Sequence, residues 1–233
     1  LITRELESTN AKYRSYVSYS YYNEIEDSYQ NIVNYINKKN INKTIKVIGF
    51  EHEQISHEHF TEFQNRLKDN YEIADITNYV SQFRGIKTSE EIAYIKKAAN
   101  MVHKGIETAI NNMKVGTMET EIGGIITKKM TELGSEYTSY PCFVAGAERG
   151  CMGHYTGDQH KLHDGDLLFM EIGACYKRYH AARMHTMYLG NDEPGFFVLG
   201  RKLIKEGLRE GIKMMRPGVK ACDVDIIMRD IIA

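Results

Sequence analysis

Two short stretches decide the fold of this 233-residue chain: Met113-Lys-Val-Gly-Thr-Met-Glu-Thr-Glu-Ile122 and Met215-Arg-Pro-Gly-Val-Lys-Ala-Cys-Asp-Val224. The second begins 102 residues after the first (215 minus 113), and the glycine, an acidic residue and a branched apolar residue keep the same spacing in both. An amphipathic helical pattern precedes each copy, with apolar residues three and four positions apart. A supersecondary unit that recurs in this way predicts an internal duplication.

The chain continues differently after each copy. After the first copy, it runs through a glycine- and histidine-rich loop into an apolar hairpin that ends near Gly190. The second copy reaches Ala233, which corresponds to position 131 of the first (233 minus 102). We therefore expect the duplicated domain to be truncated, and any site between its halves to be incomplete.

The N-terminal part of the chain has a different pattern. Residues 44–50 are β-branched and alternate in polarity, residues 56–69 have helical periodicity, and residues 71–76 form a second short apolar run. Strands that alternate with helices predict a small α/β domain over residues 1–82. Residues 83–233 then form a second, α+β domain, so that the chain as a whole is of the α/β class.

Composition excludes several classes of protein. The 30 basic and 31 acidic side chains leave a net charge of −1, which gives no general attraction to nucleic acid or to an anionic membrane. The chain also has no apolar stretch of the roughly 20 residues that a membrane-spanning helix needs. Four widely spaced cysteines without a CxxC pattern indicate reduced thiols, so we expect a cytoplasmic protein.

Residues that can carry chemistry are concentrated between positions 145 and 190. His154 lies in a glycine-bearing loop, and histidine can move a proton near neutral pH. Glu171 interrupts an otherwise apolar run, Leu167–Cys175, where a carboxylate is costly unless a partner or a substrate meets it. The return strand of the hairpin adds three further candidates for binding a substrate: His180, Arg183 and His185.

Each of these residues also has an ordinary structural interpretation. Glu171 can form a cross-strand ion pair with Arg183, and the histidines of the hairpin can be surface residues. A hard divalent ion is bound by several converging carboxylates, but the position eleven residues after Glu171 is Ala182, which has no carboxylate. His180 and His185 point to opposite faces of a strand by parity. From these residues alone we predict no metal site.

Several motifs in order resemble the pita-bread superfamily. They are Arg84-Gly-Ile-Lys-Thr-Ser-Glu-Glu-Ile92, the first of the repeated stretches, the His154 loop, Gly165-Asp166 and Glu171-Ile-Gly-Ala. The opening Ile2-Thr-Arg-Glu-Leu-Glu7 is similar to a creatinase N-terminal domain. The superfamily includes creatinase, Xaa-Pro dipeptidases and aminopeptidases, methionine aminopeptidase and ectoine hydrolase. The resemblance implies a small α/β domain followed by a duplicated domain, with the active site between the two halves.

Within that superfamily, the chain most resembles the branch of creatinase and ectoine hydrolase. Its metallopeptidases carry aspartates where this chain has Glu171 and Ala182, and alanine cannot bind a metal. The run Arg178-Tyr-His-Ala181 is closer to creatinase and ectoine hydrolase, which open non-peptide C–N bonds. Creatinase works without a metal, and its catalytic histidine matches His154 by position. The other ligands of the metallopeptidases, a histidine and two glutamates, would lie beyond Ala233.

We therefore predict a creatinase-like hydrolase of a non-peptide C–N bond in a small nitrogen-containing molecule, with no cofactor. His154 would be the general acid and base, and Glu171 would bind the substrate or act as base or nucleophile. Four residues are expected to bind the substrate: His180, Arg183, His185 and, from the neighbouring subunit of a homodimer, Arg4. The alternatives are a metal-dependent Xaa-Pro dipeptidase or aminopeptidase, and a non-catalytic pita-bread binding protein.

Overall fold

A computed structural model describes residues 2–22 and 27–233 of the chain. Contacts between residues divide the chain into two compact units, Leu1–Lys87 and Thr88–Ala233. Both mix helices and strands, which confirms the predicted class. Among the described residues, no helix is both long and apolar enough to cross a membrane.

The N-terminal unit contains two pairs of parallel strands. Strand β1 pairs with β2, and β3 pairs with β4. Buried Val33, Leu67 and Tyr71 form its core, with aromatic side chains packed against them. Its elements are β1 (Ile2–Arg4), α1 (Ser8–Arg14), β2 (Ser20–Tyr22), α2 (Ser28–Lys39), β3 (Val47–Phe50), α3 (His57–Leu67), β4 (Glu72–Asp75) and α4 (Thr77–Gly85).

The second unit places two helices on one face of a three-stranded antiparallel sheet. Apolar side chains from both helices and the sheet form one buried core, including Met101, Ile106, Ile126, Met170 and Ile172. The strand order in the sheet is β5-β6-β7. The elements are α5 (Ser89–Asn112), α6 (Glu119–Glu132), β5 (Phe143–Gly146), β6 (Leu167–Tyr176), β7 (Tyr179–Tyr188), α7 (Gly195–Met214) and α8 (Ala221–Ile232).

The predicted repeat of the helix pair is confirmed in the backbone. Helix α5 ends at Asn112 and α6 begins at Glu119, while α7 ends at Met214 and α8 begins at Ala221, so both boundaries shift by the same 102 residues. The glycines of the two joints, Gly116 and Gly218, have φ values of 89° and 90°. Glycine is needed there because a side chain disfavours this left-handed conformation.

The segment between α6 and the sheet is mostly irregular. Strand β5 begins only at Phe143. Before it, the chain touches the sheet through an isolated bridge between Thr138 and Ala174. Within this segment, the ring of Tyr140 stacks on Phe143 of β5.

Candidate active site

Glu171 is a buried carboxylate on the sheet face opposite α5 and α6. Its neighbours along β6, Met170 and Ile172, point into the core, so the alternation of a strand directs Glu171 to the other face. It lies directly across from Phe143 on β5 and Met184 on β7, and it is only 7% exposed. Among the described residues, no cationic side chain forms an ion pair with it. A buried carboxylate without a cationic partner is costly, so this position is suited to bind a cation.

Tyr140 adds a hydrogen-bond donor beside this carboxylate. Its ring stacks on Phe143 with centroids 5.4 Å apart and planes at 14°. Burial, followed by the negative charge of Glu171, raises the pKa of Tyr140 to about 12. The hydroxyl therefore keeps its proton at neutral pH and interacts with the Glu171 carboxylate. No local pattern in the sequence marks Tyr140, because the carboxylate beside it, Glu171, lies 31 residues further along the chain.

His154 contacts the same aromatic ring, that of Phe143. The loop after β5 returns along the strand, and Thr156 forms a bridge with Phe143. The exposed His154 ring packs on Phe143 with centroids 5.2 Å apart. His154 has a φ of 59°, a left-handed conformation that is uncommon for a residue with a side chain and often found at functional sites. Phe143 thus lies beside both His154 and Glu171.

Glu119, at the start of α6, holds the His154 loop in place. Its carboxylate is completely buried. One oxygen accepts hydrogen bonds from the Gly146 amide at 2.7 Å and from Arg149 Nη2 at 3.0 Å, and the other accepts from the Asp158 amide at 3.2 Å. These partners lie on both sides of His154. Sequence reasoning missed this role, because an acidic residue in a first helical turn is already explained by the helix dipole.

The structure does not bring Arg183 and His185 to the Glu171 face. Arg183 lies across from Ile172, and His185 lies across from Met170, so both point toward the helices. Arg183 contacts His103 on α5 through its guanidinium. Burial and then the positive charge of Arg183 lower the pKa of His185. Strand parity also explains why the expected ion pair between Glu171 and Arg183 does not form among these described residues.

His180 shares the Glu171 face but lies far along it. It pairs with Cys175, four residues from Glu171, which corresponds to about 13 Å along the strand. Its Nδ1 lies 2.8 Å from the Ser139 hydroxyl. Arg4 belongs to the N-terminal unit and forms an ion pair with Glu7 at 3.8 Å. A role for His180 or Arg4 in binding substrate stays a prediction.

The three strands contribute one carboxylate to this face, Glu171. Ala182 lies across from Gly173, one alternation further along, and offers no ligand atom. A pair of divalent ions needs several ligands that converge on it. A single carboxylate with His154 nearby does not provide them, so the described residues of this chain do not by themselves form a two-metal centre.

The comparisons with known proteins agree on one family. Residues 93–233 match the model of Metallopeptidase family M24, and residues 1–86 match the Creatinase/Prolidase N-terminal domain. An Xaa-Pro dipeptidase of Pyrococcus furiosus is 26% identical over 161 residues, covering 69% of this chain and 46% of the relative. An Xaa-Pro aminopeptidase of Escherichia coli is 28% identical over 149 residues, covering 62% and 33%. The chain thus spans less than half the length of these relatives.

Solved structures share the fold. An X-Pro aminopeptidase of Thermotoga maritima superposes with a TM-score of 0.86 at 22% identity, covering 100% of this chain and 64% of that one. A prolidase of Pyrococcus horikoshii gives 0.85 at 22% identity, covering 99% and 63%. At this level of identity the likeness establishes the fold, including the N-terminal creatinase-like domain.

These findings correct two predictions. The expected creatinase-like hydrolysis of a non-peptide C–N bond is wrong, because the named relatives are Xaa-Pro dipeptidases and aminopeptidases. The expectation of an enzyme without a cofactor is wrong as well, because the matching family is one of metallopeptidases. Ala182 led to these wrong predictions, because the absence of one metal ligand does not determine which reaction an enzyme catalyses. With a matching family model over more than half of its residues, the chain belongs to Metallopeptidase family M24.

Proposed function

We propose that the protein is a hydrolase of the Xaa-Pro peptidase type, which cleaves the peptide bond before proline in a small peptide. The observation that carries this proposal is the buried Glu171 carboxylate, without a cationic partner among the described residues, on a sheet face that His154 also borders. A carboxylate in that position is suited to bind a cation at the reacting centre. The named relatives support the class of substrate.

The chain's own residues can then be given roles. Hydrolysis of a peptide bond adds water to the carbonyl carbon and needs a group that stabilises negative charge on the carbonyl oxygen and a group that protonates the leaving nitrogen. Tyr140 keeps its proton and can donate a hydrogen bond to a negative oxygen. His154 is exposed, and its imidazole can deliver a proton to the proline nitrogen. Glu119 acts as a positioning residue, because it fixes the loop that carries His154.

Two further properties belong to the same proposal. The four cysteines, Cys142, Cys151, Cys175 and Cys222, are free thiols, which supports a reducing, cytoplasmic environment. We also propose a homodimer that acts on a small-molecule substrate, without nucleic acid or a membrane as partner. Gel filtration with light scattering tests the dimer.

The test is hydrolysis of a dipeptide with proline second, compared with the same dipeptide with alanine second. We expect cleavage of the proline dipeptide, and a fall in kcat/KM of at least about 100-fold in Glu171→Gln and in His154→Ala. Two matched controls remove an exposed glutamate and an exposed histidine elsewhere, Glu206→Gln and His57→Ala, and should leave the rate unchanged.

Chelation completes this experiment. Activity that is lost with a chelator and restored by a divalent ion would agree with the metallopeptidase family. An enzyme that ignores proline dipeptides, or that keeps its full rate in Glu171→Gln, would contradict the proposed function.

A further inference from the structure

A group of three potential metal ligands lies outside the Glu171 face. His160, His163 and Asp166 occupy the turn that leads into β6, and one ligand atom from each lies within 4.8 Å of the others. The two imidazole rings have centroids 5.2 Å apart, and His163 Nδ1 lies 3.6 Å from Asp166 Oδ2. Ligands about 2.1 Å from a tetrahedral zinc ion are roughly 3.4 Å apart. Small side-chain rotations would therefore bring the three atoms onto one ion.

One buried ring nitrogen in this cluster has no hydrogen-bond partner among the described residues. The Nε2 atom of His160 is buried, and in the described parts of the chain it has no hydrogen-bond partner. Buried polar atoms are almost always paired with protein or ordered water, so this ring nitrogen is open to a further partner beside two other potential ligand side chains. The His163 side chain is 67% exposed, whereas that of Asp166 is 12% exposed. The cluster is thus open to solvent at one end and enclosed at the other.

The backbone of the turn is held in place before any ion binds. The Leu162 amide donates to the Thr117 carbonyl at 2.9 Å, and the Leu189 amide donates to the Asp166 carbonyl at 2.8 Å. The His163 amide donates to Asp166 Oδ2 at 2.8 Å, which holds the carboxylate beside the His163 ring. Ligand side chains on a fixed backbone lose less conformational entropy when they bind.

We propose that His160, His163 and Asp166 form a binding site for a divalent cation of the zinc class. Two imidazoles and one carboxylate are a donor set that zinc and cobalt accept, while calcium and magnesium prefer oxygen alone. The site is separate from Glu171, which lies five residues, or about 16 Å, further along the strand. A bound ion would link the three side chains and so restrict the motion of the turn that leads into β6. The inference is independent of the proposed peptidase activity.

The test is a titration of the metal-free protein with Co²⁺, followed by visible absorption and equilibrium dialysis. We expect one equivalent to bind at this site in the wild type and in Glu171→Gln, and the dissociation constant of that equivalent to rise more than about tenfold in His163→Ala. His163 is mostly exposed and its amide hydrogen bond remains, so this variant should fold. Asp166→Asn is a second ligand variant, and His57→Ala controls for adventitious binding to a surface histidine.

Two results would overturn the site. One is unchanged Co²⁺ binding in His163→Ala, and the other is the absence of any binding by the wild type. If the wild type binds two equivalents, the proposal requires Glu171→Gln and His163→Ala to lose different ones. If Glu171→Gln lost all binding while His163→Ala lost none, the metal would belong to the Glu171 face and the proposal would be refuted.

Discussion

Replacing Glu119 with alanine removes an acceptor that two backbone amides and one guanidinium share. A buried donor left without its partner costs about 1–3 kcal/mol. Breaking a buried ion pair on one side typically costs about 3–5 kcal/mol. The three losses are coupled, because the loop can relax and admit water as a unit, so they do not add. We expect Glu119→Ala to lower the free energy of unfolding of the second unit by about 3–5 kcal/mol.

Glu119→Gln separates charge from shape. It keeps the volume and one carbonyl acceptor but turns an amide group toward at least one of the three donors. We expect a loss of about 1–3 kcal/mol. Urea denaturation followed by circular dichroism measures the total, and hydrogen exchange at the Gly146 and Asp158 amides measures local opening. Exchange at those two amides should quicken by about tenfold for each 1.4 kcal/mol of local stability lost.

The matched control is Glu132→Gln on the same helix. Glu132 forms an exposed pair with Lys129 at 3.3 Å, and such pairs contribute at most about 1 kcal/mol. If Glu119→Ala were no more destabilising than Glu132→Gln, or if the Gly146 amide exchanged at its original rate, Glu119 would not hold the loop.

Three further variants test other parts of the second unit. Thr88→Ala removes one side of the capping box with Glu91 and should cost about 1 kcal/mol in urea denaturation, whereas no effect would mean that the cap is dispensable. Gly124 lies inside α6 with open space around its Cα, so Gly124→Ala should raise the free energy of unfolding by up to about 1 kcal/mol, and destabilisation would contradict that packing. The pKa of His185 lies below 6.5 in the folded chain because of burial and the charge of Arg183, so the unfolded chain binds more protons and stability falls as pH drops through 6.5 toward the folded pKa. His185→Asn should therefore lose less stability than the wild type between about pH 7.5 and 5.5, and parallel pH profiles would refute this assignment.

Much of the second unit could be predicted because its signals are local. Thr88 caps α5 through its bond to the Glu91 amide, three residues away, and the joint between α5 and α6 needs a glycine at position 116. Side-chain caps and backbone conformations of this kind depend on residues within about one helical turn. The second joint has its glycine at position 218, so the repeat could be recognised from the sequence alone.

The candidate site was predicted only in part. His154 and Glu171 were identified from the sequence, and the structure places both beside Phe143. Tyr140 was missed, because only the folded chain shows that its ring stacks on Phe143 near Glu171. The class of reaction was also misjudged, since the alanine at position 182 suggested a non-peptide hydrolase, whereas the named relatives, which match 69% and 62% of the chain, are peptidases.

By itself, the sequence determined the repeated helix pair and the hairpin, since each rests on residues that are neighbours along the chain. Only the tertiary structure decided which side chains share a face. Glu171 and Arg183 point apart because register and strand alternation assign them to opposite sides of the sheet. The Glu119 carboxylate accepts hydrogen bonds from backbone amides 27 and 39 residues away, and no local sequence pattern encodes these contacts. Strand register and long-range hydrogen bonds depend on how the whole core packs, so they exist only once the chain has folded.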